Sequence, residues 1–174
     1  MPTDEPLQLL RADITTLDVD AVVNAANNAL MPGGGVCGAI HRAAGPELAE
    51  VCREVAPCPT GEARLTPGFG LRARWVIHTV APVWRGSTQG EDRLLASCYR
   101  TAMALAEEQE LESVAFPAIG TGSYGFPADR AAAIALRELR AALARGRHVR
   151  RVVCACFDPA TLATYEAALH APER

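Results

Sequence analysis

Hydrophobic residues along this chain fall into short apolar runs that alternate with helical stripes. Short apolar runs bounded by turn residues predict strands, and apolar residues spaced three and four apart predict helices. The predicted strands cover residues 7–10, 20–24, 63–66, 75–80, 113–117 and 149–156. Strands that alternate with helices favour an α/β fold, in which a largely parallel sheet is covered on both faces.

The predicted helices lie between and after these strands. Helical spacing covers residues 40–54, with Gly45-Pro46 interrupting it, and a closing helix is predicted over residues 159–169. Two apolar stripes mark further helices; they consist of Leu94, Leu95, Cys98, Ala102 and Leu105, and of Ala132, Leu136, Leu139 and Leu143. Because no repeat or low-complexity linker interrupts the pattern, we expect one domain over residues 1–174, with its core at 7–169.

Two glycine-rich segments each follow a predicted strand and precede a predicted helix. The first contains Gly33-Gly34-Gly35, and the second spans residues 118–127. Glycine lets the backbone approach a ligand closely, and a helix start presents unpaired N–H groups to an anion. Because ligands of such sheets bind beyond the carboxyl ends of the strands, the two segments predict a site for a ligand with a central diphosphate. The alternative is two surface turns without a ligand, since neither segment has Rossmann or P-loop spacing.

Polar side chains near these segments suit the two ends of such a ligand. Asp13 follows the first predicted strand, where its carboxylate could accept a hydrogen bond from the exocyclic amine of a base. The alternative for Asp13 is a local role as a helix N-cap or Asx-turn residue. The asparagines before the first glycine segment, Asn27 among them, supply carboxamides that can donate to and accept from sugar hydroxyls.

Composition and charge narrow the class of protein. The chain has 174 residues, 49% of them hydrophobic and 21% charged, with a net charge of −3. This charge argues against nucleic acid as a partner, so local amides must hold any anionic ligand. We expect no membrane span and no secretory signal, and therefore a cytoplasmic protein whose six cysteines are reduced. No Cys/His cluster has metal-ligand spacing, so we expect no metal and no cofactor.

Several motifs, in a fixed order, resemble those of the macrodomain family and its MacroD-type group, which includes bacterial O-acetyl-ADP-ribose deacetylases. The motifs are ADIT at 12–15, VVNAAN at 22–27, GGGVCGAIHRAAGP at 33–46, CPTG at 58–61, VIHTVAPVW at 76–84 and VAFPAIGTGSYGFP at 114–127. The resemblance implies a three-layer α/β/α fold with a mixed, largely parallel sheet. It also implies a monomer that binds ADP-ribose and hydrolyses mono-ADP-ribosyl esters on the acidic side chains of proteins, O-acetyl-ADP-ribose, or both.

The resemblance also implies roles for individual residues. Asn27, Cys37 and Tyr124 would be the catalytic residues, with Asn27 and Tyr124 against the distal ribose. For Phe157, which would lie near adenine, the alternative is a core residue at a strand end. The implied ligand-binding residues are Asp13, Ile14, Asn27, Gly34, Gly35, Val36, Cys37, Gly120, Thr121, Gly122, Ser123, Tyr124, Gly125, Phe126 and Phe157.

Cys37 departs from the family pattern, because the MacroD-type group has an aspartate there that is thought to activate water. A thiol is a much weaker hydrogen-bond partner than a carboxylate. Three interpretations follow: hydrolysis persists without the aspartate, the thiol itself acts as base or nucleophile with His41 nearby, or the protein is a reader with little hydrolysis. We favour hydrolysis, since the other motifs match the hydrolytic group.

Functions from other classes are less well supported by the sequence. Some bacterial relatives restrain a ribonuclease, but no partner surface is recognisable here. Single-stranded RNA and NAD are alternative ligands, against which the charge and the missing Rossmann spacing argue. His78 is interpreted as a satisfied core histidine, and His148 and His170 as surface residues.

Overall fold

The computed structural model describes residues 4–171, in which six strands form one sheet. The strands are β1 (Leu7–Arg11), β2 (Ala21–Ala25), β3 (Ala63–Pro67), β4 (Trp75–Thr79), β5 (Ser113–Phe116) and β6 (Arg151–Cys156). Their order in the sheet is β1-β6-β5-β2-β4-β3, and every neighbouring pair is parallel except β3 with β4. The predicted α/β fold with a mixed, largely parallel sheet is confirmed; the first and last three residues of the predicted domain lie outside the described part.

Five α-helices cover the two faces of the sheet. They are α1 (Gly35–Ala44), α2 (Pro46–Val55), α3 (Glu91–Glu108), α4 (Ala128–Arg145) and α5 (Pro159–His170). Helices α1 and α2 pack on one face, and α3, α4 and α5 pack on the other, which gives the three layers expected. A short 3₁₀ helix, Ile14–Thr16, follows β1.

The start of α1 was predicted wrongly. Helical spacing indicated a start at residue 40, whereas α1 begins at Gly35, inside the glycine run. Glycine has a low helix propensity and adds no apolar periodicity, so the first turn is invisible to pattern analysis. As a consequence Cys37 lies in the first turn of a helix and not in a loop.

Alternating side chains on the central strands form two separate cores. On β2, Ala21 and Val23 pack toward α3 and α4, while Val22 packs toward α1 and α2. On β6, Val152 and Val153 face opposite layers in the same way. Both faces are apolar because a strand buried between two helical layers points successive side chains into each of them.

The topology predicts a ligand-binding crevice beyond the carboxyl ends of β2 and β5. These two strands are parallel neighbours, with Ala21 opposite Val114. The chain leaves β2 toward α1 on one face and leaves β5 toward α4 on the other. Ligands of α/β sheets bind where neighbouring connections diverge in this way, so the glycine segments that follow β2 and β5 form the two walls of a candidate site.

Two features are absent from residues 4–171. None of the helices there combines the length and the apolar character that crossing a bilayer requires. Within the same residues, no group of three or more His, Cys, Asp or Glu side chains is arranged to hold a metal ion.

Candidate functional site

The first wall of the crevice is the N-terminus of α1. Gly34 is its N-cap and supplies no side chain to cap the helix, while its carbonyl accepts from the Gly38 amide over 3.2 Å. Among the described residues, no hydrogen bond engages the amides of Gly34, Gly35, Val36 or Cys37. These N–H groups, together with the positive end of the helix dipole, form a site suited to an anion.

The second wall is the glycine-rich loop after β5. The loop closes on itself, because the Phe126 amide donates to the Gly120 carbonyl over 2.9 Å and the Gly125 amide donates to Gly122 over 3.0 Å. Gly120 has a φ of +87°, which a residue with a side chain rarely adopts. Within residues 4–171 the intervening amides make no hydrogen bond; they belong to Thr121, Gly122, Ser123 and Tyr124. A run of free N–H groups in a tight turn is a typical anion-binding nest.

Aromatic packing holds this second loop in place. Phe126 is 2% exposed, and its ring lies 4.7 Å from that of Trp84. The Trp84 amide donates to the Tyr124 carbonyl over 2.8 Å. The Phe126 ring therefore anchors the loop from the core, while Tyr124, which is only partly buried, remains at the surface of the crevice.

Asp13 follows β1 at the carboxyl edge of the sheet and marks the end of the crevice nearest β1 and β6. Its Oδ1 accepts from the amide of Thr15 over 3.0 Å and from the Thr15 hydroxyl over 2.7 Å, so the local capping role is confirmed. The other oxygen, Oδ2, has no hydrogen bond among the described residues. Asp13 is exposed and the adjacent Ile14 is buried. A carboxylate can serve both roles, since it offers about four acceptor positions.

Phe157 directly follows β6, the neighbour of β1 in the sheet, and is exposed. The Ala12 amide donates to the Cys156 carbonyl over 3.0 Å, which brings the ends of β1 and β6 together. The Phe157 side chain is 79% exposed, so the alternative interpretation as a core residue was wrong. Phe157 comes after the last strand residue, where neither helical layer covers it. A large apolar ring left in solvent at this edge of the sheet is a feature expected of a binding surface.

At the other end of the crevice, Asn27 and Cys37 share a backbone partner. The Asn27 carboxamide accepts from the Met31 amide over 3.0 Å and donates to the Met31 carbonyl over 2.9 Å. The Cys37 thiol also donates toward the Met31 carbonyl, over 3.7 Å. A Cβ built at Gly33 would lie 3.7 Å from Asn27 Nδ2 and 3.9 Å from Cys37 Sγ. The structure thus brings two of the three candidate catalytic residues together.

The Cys37 thiol is buried against polar side chains of the sheet. Cys37 is 6% exposed, and Asn24 Nδ2 donates to its sulfur over 3.7 Å. His41 makes no hydrogen bond to Cys37, and both of its ring nitrogens are buried without a partner within residues 4–171. Burial lowers the pKa of His41, which therefore stays neutral near pH 7. These facts weaken the interpretation in which His41 activates the thiol.

A set of buried polar residues lies behind Cys37 and was not predicted from the sequence. Asn24, Thr66 and His78 are at most 1% exposed and are joined by hydrogen bonds. The interpretation of His78 as a satisfied core histidine is confirmed by these contacts. The available signal was an asparagine and a histidine within two apolar strands, which pattern analysis treats as isolated exceptions.

The comparisons with known proteins agree on one family. The Macro domain family model matches residues 23–135. A macro domain-containing protein of Ralstonia nicotianae is 57% identical over 164 residues, which cover 94% of this chain and 94% of that protein. A glycine-to-valine variant of the Oceanobacillus iheyensis macrodomain, solved with ADPR, is 40% identical with a TM-score of 0.91, covering 95% of this chain and 92% of that one. The Trypanosoma brucei macrodomain, solved with ADP-ribose, is 42% identical with a TM-score of 0.88, covering 94% and 69%.

Proposed function

Because this chain belongs to the macro domain family, we propose that it binds ADP-ribose and hydrolyses mono-ADP-ribosyl esters on acidic side chains, O-acetyl-ADP-ribose, or both. The binding part extends to this chain what the Oceanobacillus and Trypanosoma structures contain. The hydrolytic part concerns the distal-ribose end of the same crevice. The proposal places one ligand across both glycine segments.

The free amides on both walls of the crevice are the observation that supports this proposal most directly. The N-terminus of α1 offers four unpaired N–H groups from Gly34 to Cys37, and the second loop offers four from Thr121 to Tyr124. Two anion sites on facing walls match the two phosphates of a diphosphate. With a net charge of −3 the chain as a whole does not attract anions, so these local donors supply the attraction.

The two ends of the crevice suit the two ends of ADP-ribose. At one end, Asp13 Oδ2 accepts from the adenine amine, the Ile14 amide donates to the base, and the exposed Phe157 ring packs against it. At the other end, the Asn27 carboxamide retains one N–H and one acceptor position for the distal ribose after its bonds to Met31. Tyr124 lies against that ribose.

The reaction consumes one water and releases a carboxylic acid and ADP-ribose, or acetate and ADP-ribose. Asn27 and the two loops hold the distal ribose so that water attacks in a fixed orientation, and orientation alone lowers a barrier by several kcal/mol, up to about 7–11. Cys37 contributes a thiol that donates to the Met31 carbonyl. Without a carboxylate at this position, the expected turnover is about 10²–10⁴ lower than with a general base.

One observation favours a second candidate function, that of an ADP-ribose reader. The sulfur of Cys37 is buried, accepts a hydrogen bond from Asn24 Nδ2 and donates to the Met31 carbonyl. A thiol engaged in this way is a poor base, while the amides that bind phosphate are unaffected. Binding without appreciable hydrolysis is the expected result for a reader.

The binding proposal is tested by calorimetric titration with ADP-ribose, with AMP and NAD as controls. We expect ADP-ribose to bind more tightly than either, because AMP lacks the second phosphate and NAD carries nicotinamide at the distal ribose. Equal affinities for all three, or no binding, would contradict the proposal.

The two candidate functions are separated by comparing wild type, Cys37→Asp and Cys37→Ala. Each is assayed for release of ADP-ribose from a mono-ADP-ribosylated protein and for ADP-ribose affinity. Wild-type turnover above the uncatalysed rate supports the hydrolase, and its loss in Cys37→Ala identifies an active thiol. Unchanged affinity with no wild-type turnover, restored in Cys37→Asp, establishes the reader.

A further inference from the structure

A chain of buried polar side chains runs beneath α1 and ends at the Cys37 thiol. Thr66 Oγ1 lies 2.9 Å from His78 Nε2, His78 Nδ1 lies 3.1 Å from Asn24 Nδ2, and Asn24 Nδ2 lies 3.7 Å from Cys37 Sγ. Asn24 and His78 are direct register partners on β2 and β4. These hydrogen-bonded side chains therefore connect three sheet strands, β3, β4 and β2, with the first turn of α1.

His78 is the main contact that fixes the Asn24 carboxamide. Asn24 Oδ1 is buried and has no hydrogen-bond partner within the described residues. The carboxamide is then fixed by the 3.1 Å contact to His78 and the weaker 3.7 Å contact to sulfur. If the His78 contact is removed, only a weak N–H to sulfur interaction remains to set its rotation.

The imidazole is well suited to a fixed role because it is neutral and bonded at both nitrogens. Burial, with a smaller effect of the nearby His41, lowers the pKa of His78 to about 3. A neutral ring has one donor and one acceptor nitrogen, and here both have partners. Apolar side chains could fill this part of the core without any polar group to satisfy, so the polar chain is expected to have a use beyond packing.

We propose that His78 is a positioning residue for the candidate catalytic site, holding the Cys37 thiol against the Met31 carbonyl through Asn24. The proposal rests on the proposed function, since it concerns the reacting end of that crevice. It assigns His78 no contact with the ligand. Because Met31 is also bonded to Asn27, a thiol that moves is expected to disturb both candidate catalytic residues.

The test measures the reactivity of the Cys37 thiol in Thr66→Val, His78→Leu and Asn24→Leu. Each protein reacts with iodoacetamide, and peptide mass spectrometry gives the alkylation rates of Cys37 and Cys98. Cys98 is fully buried elsewhere, with its thiol on the Val80 carbonyl, so it reports general opening of the fold. We expect the ratio of the Cys37 rate to the Cys98 rate to rise about tenfold in His78→Leu and Asn24→Leu, and less in Thr66→Val.

Thr164→Val is the matched control, since the Thr164 hydroxyl donates to the Ala160 carbonyl within α5, away from the buried polar residues and from Cys98. The same variants are assayed for ADP-ribose affinity and for kcat and KM of hydrolysis. We expect affinity to stay within about twofold while kcat falls. A purely structural role of His78 predicts an unchanged rate ratio in every variant that folds, and that result would overturn the proposal.

The conservative Thr66→Val change keeps the test decisive if the His78 or Asn24 variant does not fold. The rate ratio also requires neither ligand nor turnover. A wild type that fails to bind ADP-ribose therefore removes the proposed function, while the alkylation ratio separately supports or overturns the positioning role.

Discussion

The side chains of Asn27 and Cys37 meet at one backbone atom, the carbonyl oxygen of Met31. Asn27 Nδ2 donates to this oxygen over 2.9 Å, and the Cys37 thiol is its second donor, over 3.7 Å. The Asn27 carboxamide also accepts from the Met31 amide. The Met31 backbone therefore determines where both side chains lie, and a substitution at either residue is expected to affect the other.

Removing the carboxylate of Asp13 is expected to weaken ADP-ribose binding by about tenfold to a hundredfold. A hydrogen bond to a charged group is worth about 1.5–3 kcal/mol, and about 1.4 kcal/mol corresponds to a factor of ten. Calorimetry on Asp13→Ala measures the loss. Because this change also removes the Thr15 cap, Asp13→Asn, which retains an acceptor for that cap, is the matched variant.

The proposed contact between Asp13 and the adenine amine can be tested separately by changing the ligand. The hypoxanthine analogue of ADP-ribose has a carbonyl in place of the amine. Wild type is expected to prefer ADP-ribose to this analogue, and Asp13→Ala to bind the two equally. An equal loss of affinity for both ligands in Asp13→Ala would leave the residue with a capping role only.

Phe157→Ala is expected to weaken ADP-ribose binding without lowering the thermal stability. Stacking of a base on an aromatic ring is worth about 1–3 kcal/mol, which corresponds to roughly fivefold to 150-fold in affinity. Stability should hold because the side chain is 79% exposed and leaves no cavity. Calorimetry and melting curves test both statements, with Phe69→Ala, at 41% exposure, as the control. Equal affinities in the two variants would contradict the prediction.

Gly38→Ala is expected to disturb the first glycine segment from inside α1. A Cβ at Gly38 would lie 2.5 Å from the Gly33 carbonyl oxygen, a contact that requires the Gly33 backbone to move. Because the free amides of the segment follow Gly33, we expect at least a tenfold loss of ADP-ribose affinity, since one hydrogen bond to a charged group is worth about 1.5–3 kcal/mol. Ala39→Ser, on the same helix and only partly buried, should bind normally. Normal binding by Gly38→Ala would mean that the segment adapts freely.

Glu91 is expected to make stability depend on pH in the acid range. Burial by itself raises the pKa of its carboxyl, but hydrogen bonds from the amides of Arg85, Gln89 and Ser87 outweigh it and hold the pKa below its ordinary value of 4.5. A depressed folded-state pKa means that the unfolded state takes up the proton more readily. The stabilisation is therefore complete above pH 4.5 and is lost as the pH falls through the folded-state pKa.

Melting temperatures of wild type and Glu91→Gln between pH 7 and pH 3 test this pH dependence. The variant should melt lower at pH 7, and the gap should narrow as the pH falls below about 4.5. Glu54→Gln, at an exposed position, serves as the control and should show no such gap. A gap that stays constant down to pH 3 would contradict the role assigned to the Glu91 charge.

The sheet could be predicted from sequence because its strands are nearly continuous apolar runs. The ends of strands were harder to predict where a side chain, and not a neighbouring strand, accepts the backbone hydrogen bond. The apolar run of the last strand starts at Val149, yet β6 begins at Arg151 because the Val149 amide donates to the Glu107 carboxylate over 2.9 Å. Because Glu107 and Val149 are far apart in the sequence, no local sequence pattern indicates this contact.

The two glycine segments of the candidate site could be predicted from the sequence. The buried polar residues behind them could not. Both glycine segments stand out by composition, and their positions after β2 and β5 follow from the order of elements. Asn24 and His78 lie 54 positions apart and become neighbours only through strand pairing. Since register is a tertiary property, the polar chain behind Cys37 could not be derived from spacing along the sequence.

Main-chain N–H groups line both walls of the crevice, and nearly every amino acid possesses one. If these N–H groups supply most of the affinity for the ligand, mutation of a side chain at the reacting end changes the rate of hydrolysis and leaves the binding affinity largely unchanged. Ligand binding and hydrolysis are then separable properties. A domain with a thiol at residue 37 can still bind its nucleotide. Protein engineers could therefore introduce a new reactive group at residue 37 without redesigning the backbone segments that bind the ligand.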